Sequence, residues 1–134
     1  MKTILFSALM LTMMTSCTTK KNTTTESCKP INNSTWVVSS IDGNTPKSVQ
    51  TLTFNGEKIE GKGACNAFGG KAVRTDKCTI EISGIMATKM ACDNLSEEQA
   101  YFDKLRAAKS YSVNENTLVL FNAEGKKIIQ FKKK

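Results

Sequence analysis

Histidine is absent from the 134 residues of this chain. Histidine provides the base in Ser-His-Asp hydrolysis and in Cys-His acyl transfer, and many zinc and iron sites use it as a ligand. The absence therefore excludes these enzyme classes and every His-ligated metal site. We expect no enzymatic activity, no catalytic residue, no metal site and no cofactor.

Carboxylates with the spacing of an acid and base pair are also missing. Asp42, Glu57, Glu60 and Glu81 are predicted to lie on turns and on outward-facing strand positions. We interpret these and the remaining carboxylates as solvated surface.

The folded part of the chain lacks a basic stripe, although the formal charge is +7. Residues 30–125 hold 10 of the 19 basic residues and 11 of the 12 acidic ones, so the positive excess lies at the two ends. A nucleic-acid binder needs a basic face, usually with aromatic side chains for stacking. We therefore expect no nucleic-acid partner.

A chain of this length forms a single domain, and we expect a monomer.

The N-terminal segment is typical of an export leader. Met1-Lys2-Thr3 is a positive start, residues 4–14 are mostly apolar, and Thr15-Ser16 precede Cys17. This apolar run is too short for a membrane-spanning helix, which needs about 20 residues. Met14-Thr15-Ser16-Cys17 resembles the bacterial lipobox, with Met14 where Leu is more frequent. Residues 1–16 are thus predicted to be a lipoprotein signal peptide and Cys17 the lipidation site, the alternative being a chance cysteine after an ordinary signal peptide.

Residues 17–33 are predicted to form a flexible tether, because Thr18–Ser27 has no large apolar side chain to offset the entropy of ordering. Acyl chains such as palmitate on Cys17 would attach the protein to a membrane without a transmembrane segment. In lipoproteins an Asp after the lipidated cysteine causes retention in the inner membrane, and here that residue is Thr18. We expect anchoring to the outer membrane of a bacterial envelope, facing the periplasm.

From residue 34 onward, short segments alternate polar and apolar residues and end at Gly or Asn, which is typical of antiparallel strands. Asn55-Gly56 predicts a tight hairpin turn. Gly61 and Gly63 indicate a bulge or the close approach of another segment. The predicted strands are 35–41, 51–54, 58–64, 67–74, 77–83, 110–113, 117–121 and 126–131.

One helix is predicted to start at Ser96. Ser96-Glu97-Glu98-Gln99 has the pattern of a capping box, in which the Ser96 hydroxyl accepts from the Gln99 N–H. The two glutamates favour the positive end of the helix dipole. The apolar stripe of this helix predicts packing on the sheet and comprises Tyr101, Phe102, Leu105 and Ala108.

These elements predict an α+β, mostly β fold: a curved antiparallel sheet or partial barrel of about eight strands with one helix packed against it. Aromatic side chains are expected to fill its interior, namely Trp36, Phe54, Phe68, Phe102 and Phe121. Met86 and Met90 are interpreted as core filler, the alternative being a patch for a soft metal or a hydrophobic ligand.

Four cysteines remain after Cys17, and an even number in an exported chain favours disulfides. A bridge between Cys65 and Cys92 would link the centre of the sheet to the approach of the helix. Cys28 and Cys78 would then pair, although a buried thiol is an alternative for Cys78. Their spacing, without a Cys-x-x-Cys pair, is poor for zinc or for a thioredoxin-like site.

Gly56–Lys62 matches the beginning of a phosphate-binding P-loop. Gly63 stands where that motif needs Ser or Thr, and the segment leads into a strand instead of a helix. We expect no nucleotide site.

The order of four segments resembles the META domain, or HslJ-like, family. These are Trp36–Gly43, Leu52-Thr53-Phe54, the Gly-x-Cys-Asn-x-Phe run at 63–68, and the Thr-x-Met-x-Cys run at 88–92. The resemblance covers about residues 34–131 and places the domain at 34–134. It implies a small β-rich domain with one helix, commonly an envelope lipoprotein. Cys65 and Cys92 match cysteine positions of the family, whereas Cys28 and Cys78 are additions in this chain.

The resemblance also implies tolerance of heat and of antibiotics such as novobiocin, with no defined reaction. We therefore expect a non-enzymatic domain, anchored in the membrane by its N-terminal lipid, that supports the stressed envelope by contacting another envelope protein. One alternative is a binding module for a small hydrophobic ligand. The other is an inhibitor of an envelope enzyme, acting through a protruding loop at 43–50 or 89–95.

Overall fold

The structure is a computed structural model that describes residues 28–134. The predicted signal peptide 1–16, the lipidation site Cys17 and most of the predicted tether lie outside the described residues. Of the tether's last six residues, Ile31 is only 2% exposed and belongs to the hydrophobic core. The packed body therefore includes residue 31. Among residues 28–134, no helix is long and apolar enough to cross a membrane.

Eight strands and one helix make up the described part of the chain. The elements are β1 (Ser34–Ile41), β2 (Thr51–Asn55), β3 (Lys58–Lys62), β4 (Ala67–Arg74), β5 (Ile80–Ala87), α1 (Leu95–Ala107), β6 (Ser110–Val113), β7 (Thr117–Phe121) and β8 (Lys127–Lys133). All neighbouring strands are antiparallel, in the order β5-β4-β3-β2-β1-β8-β7-β6. The predicted fold class is confirmed, and the predicted hairpin at Asn55-Gly56 joins β2 to β3.

The sheet curls into a half-barrel whose two edge strands meet at one end. The Ile80 N–H donates to the Lys109 carbonyl at 3.0 Å, and the Tyr111 N–H donates to the Cys78 carbonyl at 2.9 Å. Beyond this short contact β5 and β6 do not pair, and α1 packs against β5 and β8. The helix thus fills the gap that the sheet leaves open.

The core lies between the helix and the inner face of the sheet. The predicted helix stripe of Tyr101, Phe102, Leu105 and Ala108 is buried. Of the aromatic residues expected inside, Trp36, Phe54, Phe68 and Phe102 are buried, while Phe121 is half-buried. The Tyr101 hydroxyl donates to the Thr51 carbonyl at 3.1 Å, which ties the helix to β2.

Strand β5 differs from its prediction, since it begins at Ile80 and continues to Ala87 instead of covering 77–83. Residues 75–79 form a turn in which the Thr75 and Thr79 hydroxyls share a hydrogen bond and Cys78 has a φ of 58°. Gly84, with a φ of 60°, lies at the register shift opposite Gly70 and lets the strand continue past a bulge.

The predicted capping box is wrong. The helix begins at Leu95 after Asn94, and no side chain caps its first turn. The Gln99 side chain donates to Asp103 within the helix instead of reaching back. The glutamates of the first turn are used elsewhere, because they bind loops that come from distant parts of the sequence.

Candidate functional site

Three loops meet at the first turn of α1, and we call them the loop cluster. They are the β1–β2 loop (42–50), the β3–β4 loop (63–66) and the β5–α1 segment (88–94). The first two are hydrogen-bonded to side chains of the first turn, and the third is hydrogen-bonded to Asn66 of the second loop. The cluster contains both loops that the sequence offered as protruding contact loops.

The carboxylate of Glu98 is 5% exposed and holds the β3–β4 loop. Its Oε2 accepts hydrogen bonds from the Cys65 N–H at 2.9 Å and the Asn66 N–H at 2.6 Å, and its Oε1 accepts from Asn66 Nδ2 at 2.8 Å. Burial by itself raises the pKa of Glu98, but the bonds from Asn66 and Cys65 outweigh it and hold the pKa below the ordinary value. The group is therefore a charged anchor.

Gly63 has no side chain because Glu98 occupies the space. A Cβ at this position would lie 2.5 Å from Oε2 of Glu98 and 2.8 Å from its Cγ. The predicted close approach of another segment is thus confirmed at Gly63. At Gly61 a Cβ would meet the Thr51 carbonyl carbon at 2.9 Å, so the approach there comes from β2.

Asn66 links the β3–β4 loop to the β5–α1 segment. Its Oδ1 accepts from the Met90 N–H at 2.7 Å and from the Thr88 hydroxyl at 2.9 Å, while its Nδ2 donates to Glu98. The side chain is buried with both ends satisfied. Gly63, Cys65 and Asn66 of the Gly-x-Cys-Asn run are therefore each required by a contact with the helix or with the segment that precedes it.

Glu97 anchors the β1–β2 loop in the same way. Its Oε1 accepts from the Ser48 N–H at 2.9 Å and from Gln50 Nε2 at 2.8 Å, and its Oε2 accepts from the Lys47 N–H at 3.2 Å. Burial raises the pKa of Glu97, but these hydrogen bonds together lower it below the ordinary value. Asn94 completes the junction, since its Nδ2 donates to the Ser48 hydroxyl at 2.7 Å and to the Ala64 carbonyl at 2.9 Å.

Two disulfides confirm the predicted pairing. Cys65–Cys92 has a Cα separation of 6.2 Å and joins the β3–β4 loop to the β5–α1 segment. Cys28–Cys78 has a Cα separation of 5.2 Å and fastens the beginning of the described chain to the turn before β5. Cys78 is therefore bridged and is not a free buried thiol.

The loop cluster presents large apolar side chains to solvent. Val49 is 71% exposed, Met90 60% and Leu95 41%. Ser48 and Asn94 share a hydrogen bond, and Val49 and Leu95 are the residues that follow them in the chain. Met90 and Leu95 line the same groove. The interpretation of Met90 as core filler is wrong, and so is that of Met86, which is 79% exposed on the outer side of β5. We call Val49, Met90 and Leu95 the apolar rim.

The groove between α1 and β5 has a volume of about 470 Å³. Its apolar lining is Ile85, Ala87, Met90, Ala91, Leu95 and Phe102. Lys89, Gln99 and Arg106 supply polar groups, and Glu98 lies at its inner wall. Within residues 28–134, no group of three or more Cys, Asp or Glu side chains is arranged to hold a metal ion.

The remaining predicted surface carboxylates are exposed, and three of them form ion pairs, one being Asp103 with Arg106 at 3.1 Å. Asp42 lies 2.6 Å from Lys104 of the helix, and Glu57 lies 3.2 Å from Lys71. The interpretation of the other carboxylates as solvated surface is wrong for Glu98, which is buried, and incomplete for Glu97. The sequence does show that Glu97 and Glu98 form an acidic pair at the start of a helix. Acidic residues at this position interact favourably with the helix dipole, so no tertiary partner was expected for them.

The sequence model of the META domain family matches residues 29–134. The chain belongs to the META domain family. A search of the curated proteins found no match. Solved structures similar in fold to this META domain include an NMR structure and a crystal structure. An NMR structure of a protein from Burkholderia xenovorans is 20% identical, with a TM-score of 0.63, and the match covers 78% of this chain and 83% of that one. A crystal structure of a DUF4847 family protein from Bacteroides vulgatus is 18% identical, with a TM-score of 0.57, over 76% and 93% of the two chains.

Proposed function

We propose that this META domain is an outer-membrane-anchored, non-enzymatic lipoprotein that supports envelope tolerance of heat and antibiotics through protein contacts made by the loop cluster. The observation that carries the proposal is the apolar rim. Val49, Met90 and Leu95 are exposed on loops that buried or hydrogen-bonded side chains hold in place. Exposed apolar groups that are clustered mark interaction sites.

The rigidity of the loops supports a contact role. Ordering a loop on binding costs free energy, and a loop that is already fixed avoids this cost. Here the β1–β2 loop is fixed by Glu97, and the β5–α1 segment is fixed by Asn66 and by the Cys65–Cys92 bridge. The carboxylates accept N–H groups of the loops, which is an anchoring role and not that of an acid or base.

Site-specific photo-cross-linking in intact cells tests the proposal. A photoreactive amino acid is placed at position 49 or 90, and the matched control is position 115, which is exposed in the turn between β6 and β7. That turn lies at the opposite end of the sheet, because Asn116 binds Lys133 beside Trp36, whereas the β1–β2 loop follows Ile41. We expect one dominant protein adduct from positions 49 and 90 and none from 115. Absence of an adduct at both rim positions would reject the contact role.

The anchoring part of the proposal has its own test. Replacing Cys17 with Ser removes the thiol that would carry the lipid, so the protein should leave the membrane fraction and its cells should lose heat and novobiocin tolerance. Met90→Asp should lower tolerance while the protein stays in the membrane fraction. Equal survival of cells with wild-type protein and both variants contradicts the stress role.

A second candidate function is the binding of a small hydrophobic ligand, and the groove between α1 and β5 is the observation that favours it. Stoichiometric uptake of a hydrophobic dye, lost in Leu95→Asp and kept in Met86→Asp, would support it. Inhibition of an envelope enzyme is a special case of protein contact, and it would be recognised by an enzyme in the cross-linked adduct.

A further inference from the structure

The groove between α1 and β5 runs beside an open strand edge. β5 is the last strand of the sheet, and β6 meets it only near residues 78–80. The Thr88 N–H donates to the Ala67 carbonyl at 3.0 Å, and Ala87 stands opposite Phe68. Because hydrogen-bonding direction alternates along an antiparallel pair, the N–H and C=O of Ala87 point away from β4. They face the open edge, where Ala87 also lines the groove.

The length of the groove suits a short extended chain. Leu95, Gln99, Phe102 and Arg106 recur at helical spacing and line one side of it. With a rise of about 1.5 Å per residue, Leu95 and Arg106 are about 16 Å apart along the helix axis. An extended chain covers about 3.3 Å per residue, so the groove holds about five residues.

The charges of the groove favour an acidic occupant. Lys89 and Arg106 are exposed cations of the lining, while the charge of Glu98 is met by three N–H donors of Cys65 and Asn66. Arg106 contacts Asp103 only through an exposed pair at 3.1 Å, which competes weakly with a ligand. The interior of the groove is apolar, so the occupant combines apolar side chains with carboxylates.

We propose that the groove binds an extended acidic peptide segment of a partner protein, which adds to the free edge of β5 as a short strand. Its main chain exchanges hydrogen bonds with Ala87, its apolar side chains contact Phe102 and Leu95, and its carboxylates face Lys89 and Arg106. Strand addition of this kind combines main-chain hydrogen bonds with side-chain pockets. A fatty acid offers the same charge and apolar surface but no N–H groups, which is why the strand edge favours a peptide. This inference rests on the proposed contact function and names the chemistry of the partner.

The test titrates the full chain, with both disulfides intact, with the peptide acetyl-Asp-Thr-Val-Thr-Asp-amide, whose Val and two Asp side chains share one face of an extended chain. We expect saturable binding, with NMR shifts of the amides of Ala87, Thr88 and the residues of α1 that line the groove. A peptide with N-methylated backbone amides should bind at least tenfold more weakly, and one with Lys in place of Asp several-fold more weakly. The proposal is overturned by no saturable binding up to millimolar peptide or by equal binding of the N-methylated peptide. It is equally overturned if dodecanoate shifts these amides and the peptide does not. Shifts of the same amides on raising the protein concentration without peptide would also overturn it, because they would indicate that a second copy of the chain occupies the groove.

Two variants distinguish the contribution of the β5 strand edge to peptide binding from the contribution of the charged side chains. Ala87→Pro removes the outward N–H while leaving the N–H of Thr88 free to pair with β4, and it should weaken binding at least tenfold. Met86→Ala, whose side chain lies on the outer side of β5, is the matched control and should bind normally. Arg106→Glu changes an exposed residue and leaves the cation Lys89 balanced by one new carboxylate, so the peptide with Asp and the peptide with Lys should bind about equally. Retention of the Asp preference would contradict the proposed charge pairing.

Failure of strand addition in the groove and failure of the proposed contact function give different experimental results. A protein adduct at positions 49 and 90 without peptide binding in the groove leaves the contact function standing and rejects the strand-addition mode. Peptide binding without an adduct in cells rejects the contact function and leaves the binding mode.

Discussion

Single side chains decide how the loops of this META domain are held. Glu97 and Glu98 are adjacent in the chain but bind different loops, since the first accepts from Lys47 and Ser48 and the second from Cys65 and Asn66. Each carboxylate accepts hydrogen bonds from several N–H groups, which therefore need no water molecule as a partner. Loss of one such acceptor leaves buried donors without a partner, which costs about 1–3 kcal/mol.

The contact between Gly63 and Glu98 predicts that a side chain added at position 63 destabilises the fold. Gly63→Ala places a methyl group against the carboxylate, so the side chain must leave its hydrogen bonds, and the free energy of unfolding should fall by about 2 kcal/mol. Gly69→Ala is the matched control, because its nearest neighbour is the Ile59 carbonyl at 3.7 Å. Urea unfolding of both variants checks this. Equal stabilities would contradict the account of Gly63.

Residue types alone predicted part of this site. Cys65 and Cys92 were identified because an even number of cysteines in an exported chain favours disulfides, and Gly63 because a strand glycine indicates a bulge or a close approach. Asn66, Asn94 and Glu98 were missed, since polar residues in loops and first turns are usually solvated. Their partners lie 22 to 46 residues away in the chain, and no local pattern marks such a contact.

At the scale of elements, the segment that connects β5 to the helix has no regular structure and depends on few ties. Asn66 holds Met90 and Thr88, and the Cys65–Cys92 bridge closes a loop across a sequence separation of 27. Such a loop stabilises a fold by about 3.6 kcal/mol in the chain-entropy model.

Removal of this bridge should therefore act both on stability and on the apolar rim. A Cys65→Ser, Cys92→Ser double variant should lose about 3.6 kcal/mol of unfolding free energy and show faster amide exchange at residues 88–92. A Cys28→Ser, Cys78→Ser variant is the control, since it should lose about 4 kcal/mol without selective exchange at 88–92. Unchanged exchange at 88–92 after loss of Cys65–Cys92 would show that Asn66 alone fixes the segment.

The strands were predicted more reliably than the bend within the sheet. β4, β6 and β7 agree with the prediction to the residue, because alternation of polar and apolar residues is a local property. β5 was placed too early because its bulge at Gly84 interrupts the alternation. The buried pair Ile128 and Ile129 in β8 has the same cause, a register shift between Leu120 and Phe121.

At the scale of the whole molecule, the loop cluster makes folding sensitive to acid. The pKa values of Glu97 and Glu98 are lowered in the folded state, against an ordinary value of 4.5. A lowered folded pKa stabilises the folded chain above the ordinary value, and this contribution disappears as the pH falls through the folded pKa.

We therefore expect the unfolding free energy to decrease as the pH drops below 4.5. Glu98→Gln should be about 2 kcal/mol less stable than the wild type near pH 7, because an amide cannot accept all three N–H bonds. The difference should narrow as the pH falls, because protonation removes the same acceptor from the wild type. Glu81→Gln, at an exposed position of β5, is the control and should follow the wild-type curve. A constant difference between Glu98→Gln and wild type across the pH range would contradict the lowered pKa.

Short segments of the chain were enough to predict the strand pattern, the helix with its buried stripe and the presence of disulfides, because alternation, amphipathicity and cysteine number need no knowledge of distant contacts. Which cysteines pair was settled by the structure, which bridges Cys78 where a buried thiol had been an alternative. The tertiary structure alone decided that Glu98 is buried, that Met86 and Met90 are exposed, and that three loops share one end of the helix. These features depend on which distant segments meet when the sheet curls, and the curl follows from bulges and edge contacts that no short segment encodes.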